Sequence, residues 1–435
     1  MTPAAKLSAA IEVFDTIEKD RRPAGEALKT WGVAHRFAGS GDRAGIAGLV
    51  YDALRRKASS AFLMGADTPR AILIGMLKRE RGLDTPAIER LTDGSQYGPA
   101  ALSDDERARL DGAGMTDAPP HIAGDYPEWL DAHFAHVFGE ARAEEGAALA
   151  SRAPLDLRVN LLKAERDKAA AMLSDLAPAN GQWSPWALRV DLAADAKSPA
   201  IHAEPAFLKG MIEVQDEGSQ LAALLSGAKP GEQVIDLCAG AGGKTLALAA
   251  MMQNKGQVFA TDDDKRRLAP IHERLARSGA RNVQVRTPKS VHDEIDDLKG
   301  RMDMVLIDAP CTGTGSWRRN PDAKWRMRPG ALEQRVKEQA VILDRAVGLL
   351  KEGGRIAYIT CSVLDEENGA QVRAFIARHP AFSVQPPAET IKELGERAPV
   401  FGKAARLTDE GLLMTPRTTG TDGFFVSVLR QGPGN

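Results

Sequence analysis

The chain has 435 residues, 43% hydrophobic and 27% charged, which fits roughly two to four soluble globular domains rather than one oversized core. Lys and Arg number 57 against 59 Asp and Glu, a net charge of −2 that excludes a polycationic tail and leaves nucleic-acid contact to local patches. No apolar run approaches the roughly 18–20 residues of a membrane helix. Met1 to Asp20 carries Glu12, Asp15 and Glu18 where a secretory signal needs an apolar core, so a cytoplasmic protein is expected.

Residues 1–115 read as helices in series. Leu7, Ile11, Val13, Phe14 and Ile17 form one helical stripe, and Ala44 to Leu54 repeats the period before the basic triplet Arg55-Arg56-Lys57, a solvated helix end or an RNA contact. Residues 116–225 change texture, with Pro119-Pro120, Pro127 and Pro154 breaking helices and short strand-like stretches such as Leu157-Arg158-Val159. A small α+β domain is expected there. His133 and His136 lie one helical turn apart with no further ligand nearby, and Cys238, Cys311 and Cys361 match no zinc spacing, so no metal site is expected.

Residues 226–435 alternate strands with helices, the pattern of a mostly parallel α/β sheet. The strands are Val234 to Leu237, Val258 to Ala260, Val283 to Val285, Met304 to Ile307 and Ile356 to Ile359. Helices are expected over Lys265 to Ser278 and over Ala331 to Leu350, the latter stopped by Gly353-Gly354.

Ligands of open α/β sheets bind beyond the carboxyl ends of the strands. The first strand runs into Cys238-Ala239-Gly240-Ala241-Gly242-Gly243-Lys244-Thr245, where glycines let backbone approach a ligand at a helix start. A phosphate-binding P-loop ends in the same Gly-Lys-Thr, but it needs a further glycine where this chain has Cys238. The second strand leads to Asp262, an acid placed to bind ribose hydroxyls or to cap the next helix. The fourth strand ends Asp308-Ala309-Pro310-Cys311 and the fifth Thr360-Cys361-Ser362, which sends two thiols from neighbouring strand ends into one crevice.

These motifs together resemble the Nop/Sun family of S-adenosylmethionine-dependent RNA cytosine-C5 methyltransferases. Gln215-Asp216-Glu217-Gly218-Ser219-Gln220, Arg318-Arg319-Asn320-Pro321-Asp322 and Asp422-Gly423-Phe424-Phe425 match as well, so the similarity spans roughly Asp125 to Arg430. Residues 1–115 look like the NusB-like helical module of the bacterial branch that modifies small-subunit ribosomal RNA. The resemblance thus implies a Rossmann-like methyltransferase sheet preceded by a small α+β domain and an all-α NusB-like docking domain. Two departures stand out: Gly240-Ala241 replaces the family's Ala-Pro, and Arg286-Thr287-Pro288-Lys289-Ser290 holds no aspartate where the family places one near the adenine.

By the resemblance, S-adenosylmethionine lies against Cys238, Ala239, Gly240, Ala241, Gly242, Gly243, Lys244, Asp262 and Asp308. Cys361 adds to C6 of cytosine, because C5 becomes nucleophilic only once the ring is an enamine. Asp308 protonates N3, Cys311 helps remove the C5 proton or release product, and Lys244 orders the substrate site. The substrate implied is RNA, 16S ribosomal RNA above all, with no membrane and no obligate protein partner. Trp317 to Arg328 holds five basic residues against Asp322 alone, with Trp317 and Trp325 interleaved, the composition of a phosphate-and-stacking surface. The alternatives are an RNA-binding ribosome-assembly factor with a vestigial site and a P-loop-like nucleotide-binding enzyme.

Overall fold

A computed structural model describes residues 1–112, 114–192, 199–288 and 294–432. Contacts gather the described chain into two compact units. One combines Met1–Ala153 with Trp317–Arg328, and the other holds the remainder. The stretch read as one small domain, 116–225, is therefore shared. Its helices up to Leu149 pack in the first unit, and its strands from Leu155 onward belong to the second. Among the described residues no helix is long and apolar enough to cross a membrane.

The first unit is helical among its described residues. It includes α1 (Pro3–Asp20), α2 (Ala24–Ala34), α3 (Ser40–Arg55), α4 (Lys57–Met64) and α5 (Pro69–Arg79). Thr2 caps α1 by accepting from the Ala5 amide at 3.1 Å, with Pro3 at the first helical position where its missing N–H costs nothing. The stripe Leu7, Val13, Phe14 and Ile17 is buried with Ile46, Val50 and Leu54 of α3 in one core. The basic triplet is tied into ion pairs, with Arg55 buried and Arg56 and Lys57 half-buried. Arg55 pairs with Asp52 at 3.2 Å, Arg56 with Glu80 at 2.6 Å, and Lys57 with Glu18.

Trp317–Arg328 is not an open stacking surface either. Trp317 is 1% exposed and stacks on Phe134 with ring centroids 5.9 Å apart, and Lys324 is fully buried. The Lys324 ammonium donates to the carbonyls of Asp125 at 2.6 Å and Arg55 at 2.9 Å, and the Trp325 indole donates to the Leu54 carbonyl at 2.7 Å. Asp322 accepts from the Ala24 amide at 3.2 Å and pairs with Arg326 at 3.0 Å. Only Asn320, Arg326 and Arg328 within the segment are exposed.

The second unit carries two sheets. The smaller has order β2-β3-β1-β4, all antiparallel, from β1 (Leu155–Val159), β2 (Ala179–Asn180), β3 (Ala187–Val190) and β4 (Ile212–Val214). The larger contains β5 (Gln233–Asp236), β6 (Gln257–Ala260), β7 (Val283–Val285), β8 (Met302–Asp308) and β9 (Leu350–Thr360), parallel in the order β7-β6-β5-β8-β9. An antiparallel strand, Phe424–Gln431, continues the sheet beyond β9. Each strand expected in this region is present. The order turns back at β5, so the crevice between the carboxyl ends of β5 and β8 is the topological switch point where such sheets bind ligands.

Two local expectations need correction. The helix Pro329–Val347 stops before Gly353-Gly354, which lie inside β9. Gly353 has φ +73, and the pairing jumps from Met302↔Leu350 to Met304↔Arg355, so the glycines form a bulge rather than a helix stop. The expected helix over Lys265 to Ser278 is broken into Lys265–Leu268 and Ile271–Ser278 around Pro270.

Candidate active site

The loop after β5 turns through Gly240 (φ +48) and Gly242 (φ +83) into the helix Gly243–Met251. A Cβ on Gly242 would come within 2.5 Å of Ile271 Cγ1, so both conformation and space demand glycine there. The loop is pinned from below. The Ala239 amide donates to the Thr261 carbonyl at 2.9 Å, and Thr245 Oγ1 donates to Asp236 Oδ2 at 2.7 Å. Burial pushes the Asp236 carboxyl up to about 7. A P-loop would turn this Thr245 hydroxyl toward magnesium; here it faces the buried Asp236 carboxylate.

Two further clamps come from residues that sequence reading left without a role. Arg158 in β1 donates to the Gly243 carbonyl at 2.7 Å and to Gln215 Oε1 at 2.5 Å, and Arg274 donates to the Ala241 carbonyl at 2.8 Å while paired with Glu213 at 2.8 Å. The Gln215–Gln220 motif is a brace. Asp216 caps its helix by accepting from the amides of Gly218 at 2.7 Å and Ser219 at 3.3 Å, and it also accepts from the Asp422 amide at 3.2 Å.

Asp262 is 3% exposed and accepts from the Gly240 amide at 2.9 Å and the Asp264 amide at 3.0 Å. The cap of the following helix is Asp264, which accepts from the Arg266 amide at 2.8 Å, so the capping alternative for Asp262 falls away. Two cavities adjoin this loop. One of about 530 Å³ is lined by Asp262, Asp263, Arg267, Pro310 and Val341, and one of about 420 Å³ by Ala239, Gly240, Gly243, Lys244 and Asp308. Cys238 lines both, and burial among carboxylates raises its thiol well above the usual cysteine range. Ser290 and Lys289 lie outside the described residues. Arg286 pairs with Asp297 at 3.0 Å.

On the other side of the crevice, β8 and β9 set Asp308 opposite Ile359. Cys311 follows Asp308 by three residues and Cys361 follows Ile359 by two, and their sulfurs lie 3.3 Å apart. Burial and the Cys361 sulfur hold the Cys311 thiol well above the ordinary range, with Cys361 the first cause. Lys244 is 6% exposed, pairs with Asp308 Oδ2 at 2.7 Å, and places its ammonium 5.1 Å from the Phe424 ring centroid. The structure therefore gathers Asp308 with Lys244, Cys311 with Cys361, and Asp262 with the glycine loop.

Sequence reasoning missed Glu367 and Asn368, five and six residues beyond Ser362. Glu367 accepts from the Thr312 amide at 2.8 Å and Asn368 accepts from Thr360 Oγ1 at 2.5 Å. The only signal was a Glu-Glu-Asn run on a surface-like stretch, which composition cannot separate from a solvated turn.

Residues 223–430 match the family described as 16S rRNA methyltransferase RsmB/F. The ribosomal RNA small subunit methyltransferase B of Sodalis glossinidius is 32% identical over 372 residues, covering 83% of this chain and 77% of that protein. Among solved structures, PH0851 superposes with a TM-score of 0.70 at 23% identity over 99% of both chains. A methyltransferase homolog protein from Pyrococcus horikoshii gives 0.58 at 25% identity, over 73% of this chain and 100% of that one.

Proposed function

The chain belongs to the family of 16S rRNA methyltransferases RsmB/F, and from that premise we propose that it methylates C5 of a cytosine in 16S ribosomal RNA through a Cys361–C6 adduct. S-adenosylmethionine-dependent methylation of ribosomal RNA is the coarser activity, and the adduct is the reading for which the 3.3 Å Cys311–Cys361 pair is the main support. Packing alone gives no reason for two thiols to converge at adjacent strand ends beside an ion-paired aspartate.

The methyl donor fits the residues present. The left-handed glycines bring backbone close to the smaller cavity, Asp262 supplies a carboxylate for ribose hydroxyls at the larger, and Cys238 joins them. When bound, S-adenosylmethionine supplies an electrophilic sulfonium methyl. The Cys361 thiolate adds its electron pair to C6, N3 takes a proton that the Lys244 ammonium passes on through the Asp308 carboxylate, and C5 becomes the nucleophile. Lys244 holds Asp308 in place on the base edge. Two sulfurs 3.3 Å apart cannot both carry charge, so Cys311 keeps its proton until Cys361 becomes a neutral thioether. Cys311 then sheds that proton to water and removes the one on C5. The C5–H pair becomes the C5=C6 bond, the C6–S pair returns to Cys361, and N3 returns its proton through Asp308 to Lys244.

Residues 1–115 serve in this reading as the RNA- or protein-docking part of the molecule. C5 and C6 are reached only from the base's edge and face, so the target cytosine is single-stranded or flipped. Bisulfite sequencing of 16S ribosomal RNA from a strain lacking the gene should lose one protected cytosine. Retention of every protected position would remove the substrate assignment, and an assembly factor with a vestigial site would then account for the family membership.

Asp262→Ala is expected to weaken S-adenosylmethionine binding by about tenfold or more in calorimetry, the loss of one charge-assisted hydrogen bond worth roughly 1.5–3 kcal/mol. Unchanged affinity would confine Asp262 to supporting the Gly240 turn, and tight ATP binding in its place would favour a nucleotide-binding enzyme.

A further inference from the structure

The loops that carry the two cysteines are held by one pair of adjacent residues, Glu367 and Asn368. Glu367 is fully buried; its Oε1 accepts from the Thr312 amide at 2.8 Å and from Gln339 Nε2 at 3.0 Å, and its Oε2 from Thr312 Oγ1 at 2.5 Å. Gln339 also donates to the Pro310 carbonyl at 3.0 Å. The residues on either side of Cys311 are therefore both tied, directly or through Gln339, to a single carboxylate. Asn368 faces the other way. Its Oδ1 accepts from Thr360 Oγ1 at 2.5 Å and its Nδ2 donates to the Ser362 carbonyl at 2.9 Å, which brackets Cys361. Tyr358 fixes the same turn from β9 by donating to the Glu367 carbonyl at 2.6 Å.

A carboxylate is an unusual choice for a merely structural clamp. Burial raises the Glu367 carboxyl above the ordinary range even against its donors, and an amide or apolar side chain would avoid that cost. The gain is bidentate hold on both Thr312 donors at once, which fixes the direction of the loop as well as its position.

We propose that Glu367 is a positioning residue for product release, setting the Cys311 sulfur against the C5 proton, while Asn368 positions Cys361 for attack. This rests on the covalent reading of the two thiols. The division of labour follows from the bonding: Glu367 holds Thr312 directly and Pro310 through Gln339, with one further side-chain bond to Ser362, whereas the Asn368 side chain bonds only to Thr360 and Ser362 among the described residues. Release then depends on Glu367 more than addition does, since its hold on the Cys311 loop is the larger and addition at C6 and methyl transfer do not use Cys311.

The test compares Glu367→Gln, Glu367→Asp, Asn368→Ala and Cys311→Ala on unmodified 16S ribosomal RNA transcribed in vitro, with radiolabelled S-adenosylmethionine and denaturing electrophoresis. Glu367→Gln should lower kcat by about 100-fold, the scale of an ångström-sized misplacement, with KM for both substrates within about twofold of the parent. It should accumulate a methylated protein–RNA species like the one expected of Cys311→Ala. Glu367→Asp, which keeps the charge and shortens the reach, should recover part of kcat and lose the trapped species. Asn368→Ala should give neither adduct nor product. If Cys311→Ala traps RNA and Glu367→Gln, folded and binding S-adenosylmethionine normally, does not, the release role is wrong. Equal loss of adduct and product in both Glu367→Gln and Asn368→Ala would reduce the pair to a structural turn. Absence of any trapped species in Cys311→Ala would instead count against the covalent reading beneath it.

Discussion

Cys361→Ala is expected to abolish methyl transfer, by roughly 10³-fold or more, together with every covalent protein–RNA species, because without the thiolate C5 of cytosine never becomes an enamine carbon. Cys311→Ala should behave in the opposite way. Addition at C6 and transfer of one methyl group proceed, but loss of the base slows turnover by about 10²–10⁴-fold, and the methylated adduct survives denaturing electrophoresis. The sulfurs are near enough for each to feel the other's charge, so removing Cys311 also frees Cys361 from a neighbour 3.3 Å away. A single-turnover assay separates the two effects, since the methyl-transfer burst should persist in Cys311→Ala and vanish in Cys361→Ala. A trapped species in Cys361→Ala and none in Cys311→Ala would exchange the two roles, and full activity in both variants would make the thiols structural.

The chemistry of the second unit was legible because it sits where local rules are strong. Gly240 and Gly242 need left-handed backbone, Asp308 and Cys311 follow a continuous apolar strand, and Cys361 ends another, so strand ends and special residues coincide in the sequence itself. Glu367 and Asn368 escaped notice for the opposite reason. Their importance is that of partners, Thr312 lying 55 residues away in the chain, and no period or spacing announces such a pairing.

The basic stretch Trp317 to Arg328 was misread on similar grounds. A count of charges takes no account of what each charge meets, and Lys324 meets carbonyls 269 and 199 residues away. The two tryptophans that looked like stacking platforms are core and second layer of the helical unit instead. Gly353-Gly354 shows the same limit at short range, because a glycine pair after a helix serves equally as a stop or as a bulge in the next strand. The pairing with β8 decides, and that neighbour lies some 50 residues earlier.

Because Trp317–Arg328 packs within the helical unit, Trp317→Ala is expected to be strongly destabilising, by about 3–5 kcal/mol, the usual cost of emptying a buried aromatic site. The ring is 1% exposed and stacked on Phe134, which itself stacks on Tyr126 at 4.5 Å, so little can collapse into the space. Arg328→Ala, at an exposed position of the same segment, should stay within about 0.5 kcal/mol in urea unfolding. Lys324 adds a signature of its own. Burial lowers its ammonium from 10.5 to about 7, so between those values the unfolded chain holds the proton more often than the folded one. Stability from this group therefore rises as pH increases from about 7 toward 10.5, and Lys324→Met should flatten that part of the profile. A truncation lacking residues 1–115 removes Leu54 and Arg55, whose carbonyls receive Trp325 and Lys324, and should unfold or aggregate rather than behave as a clean catalytic fragment. If the truncated protein stays monomeric and cooperative, or if Trp317→Ala costs no more than Arg328→Ala, the segment is not part of that core, and its tryptophans return to consideration as an RNA-stacking surface.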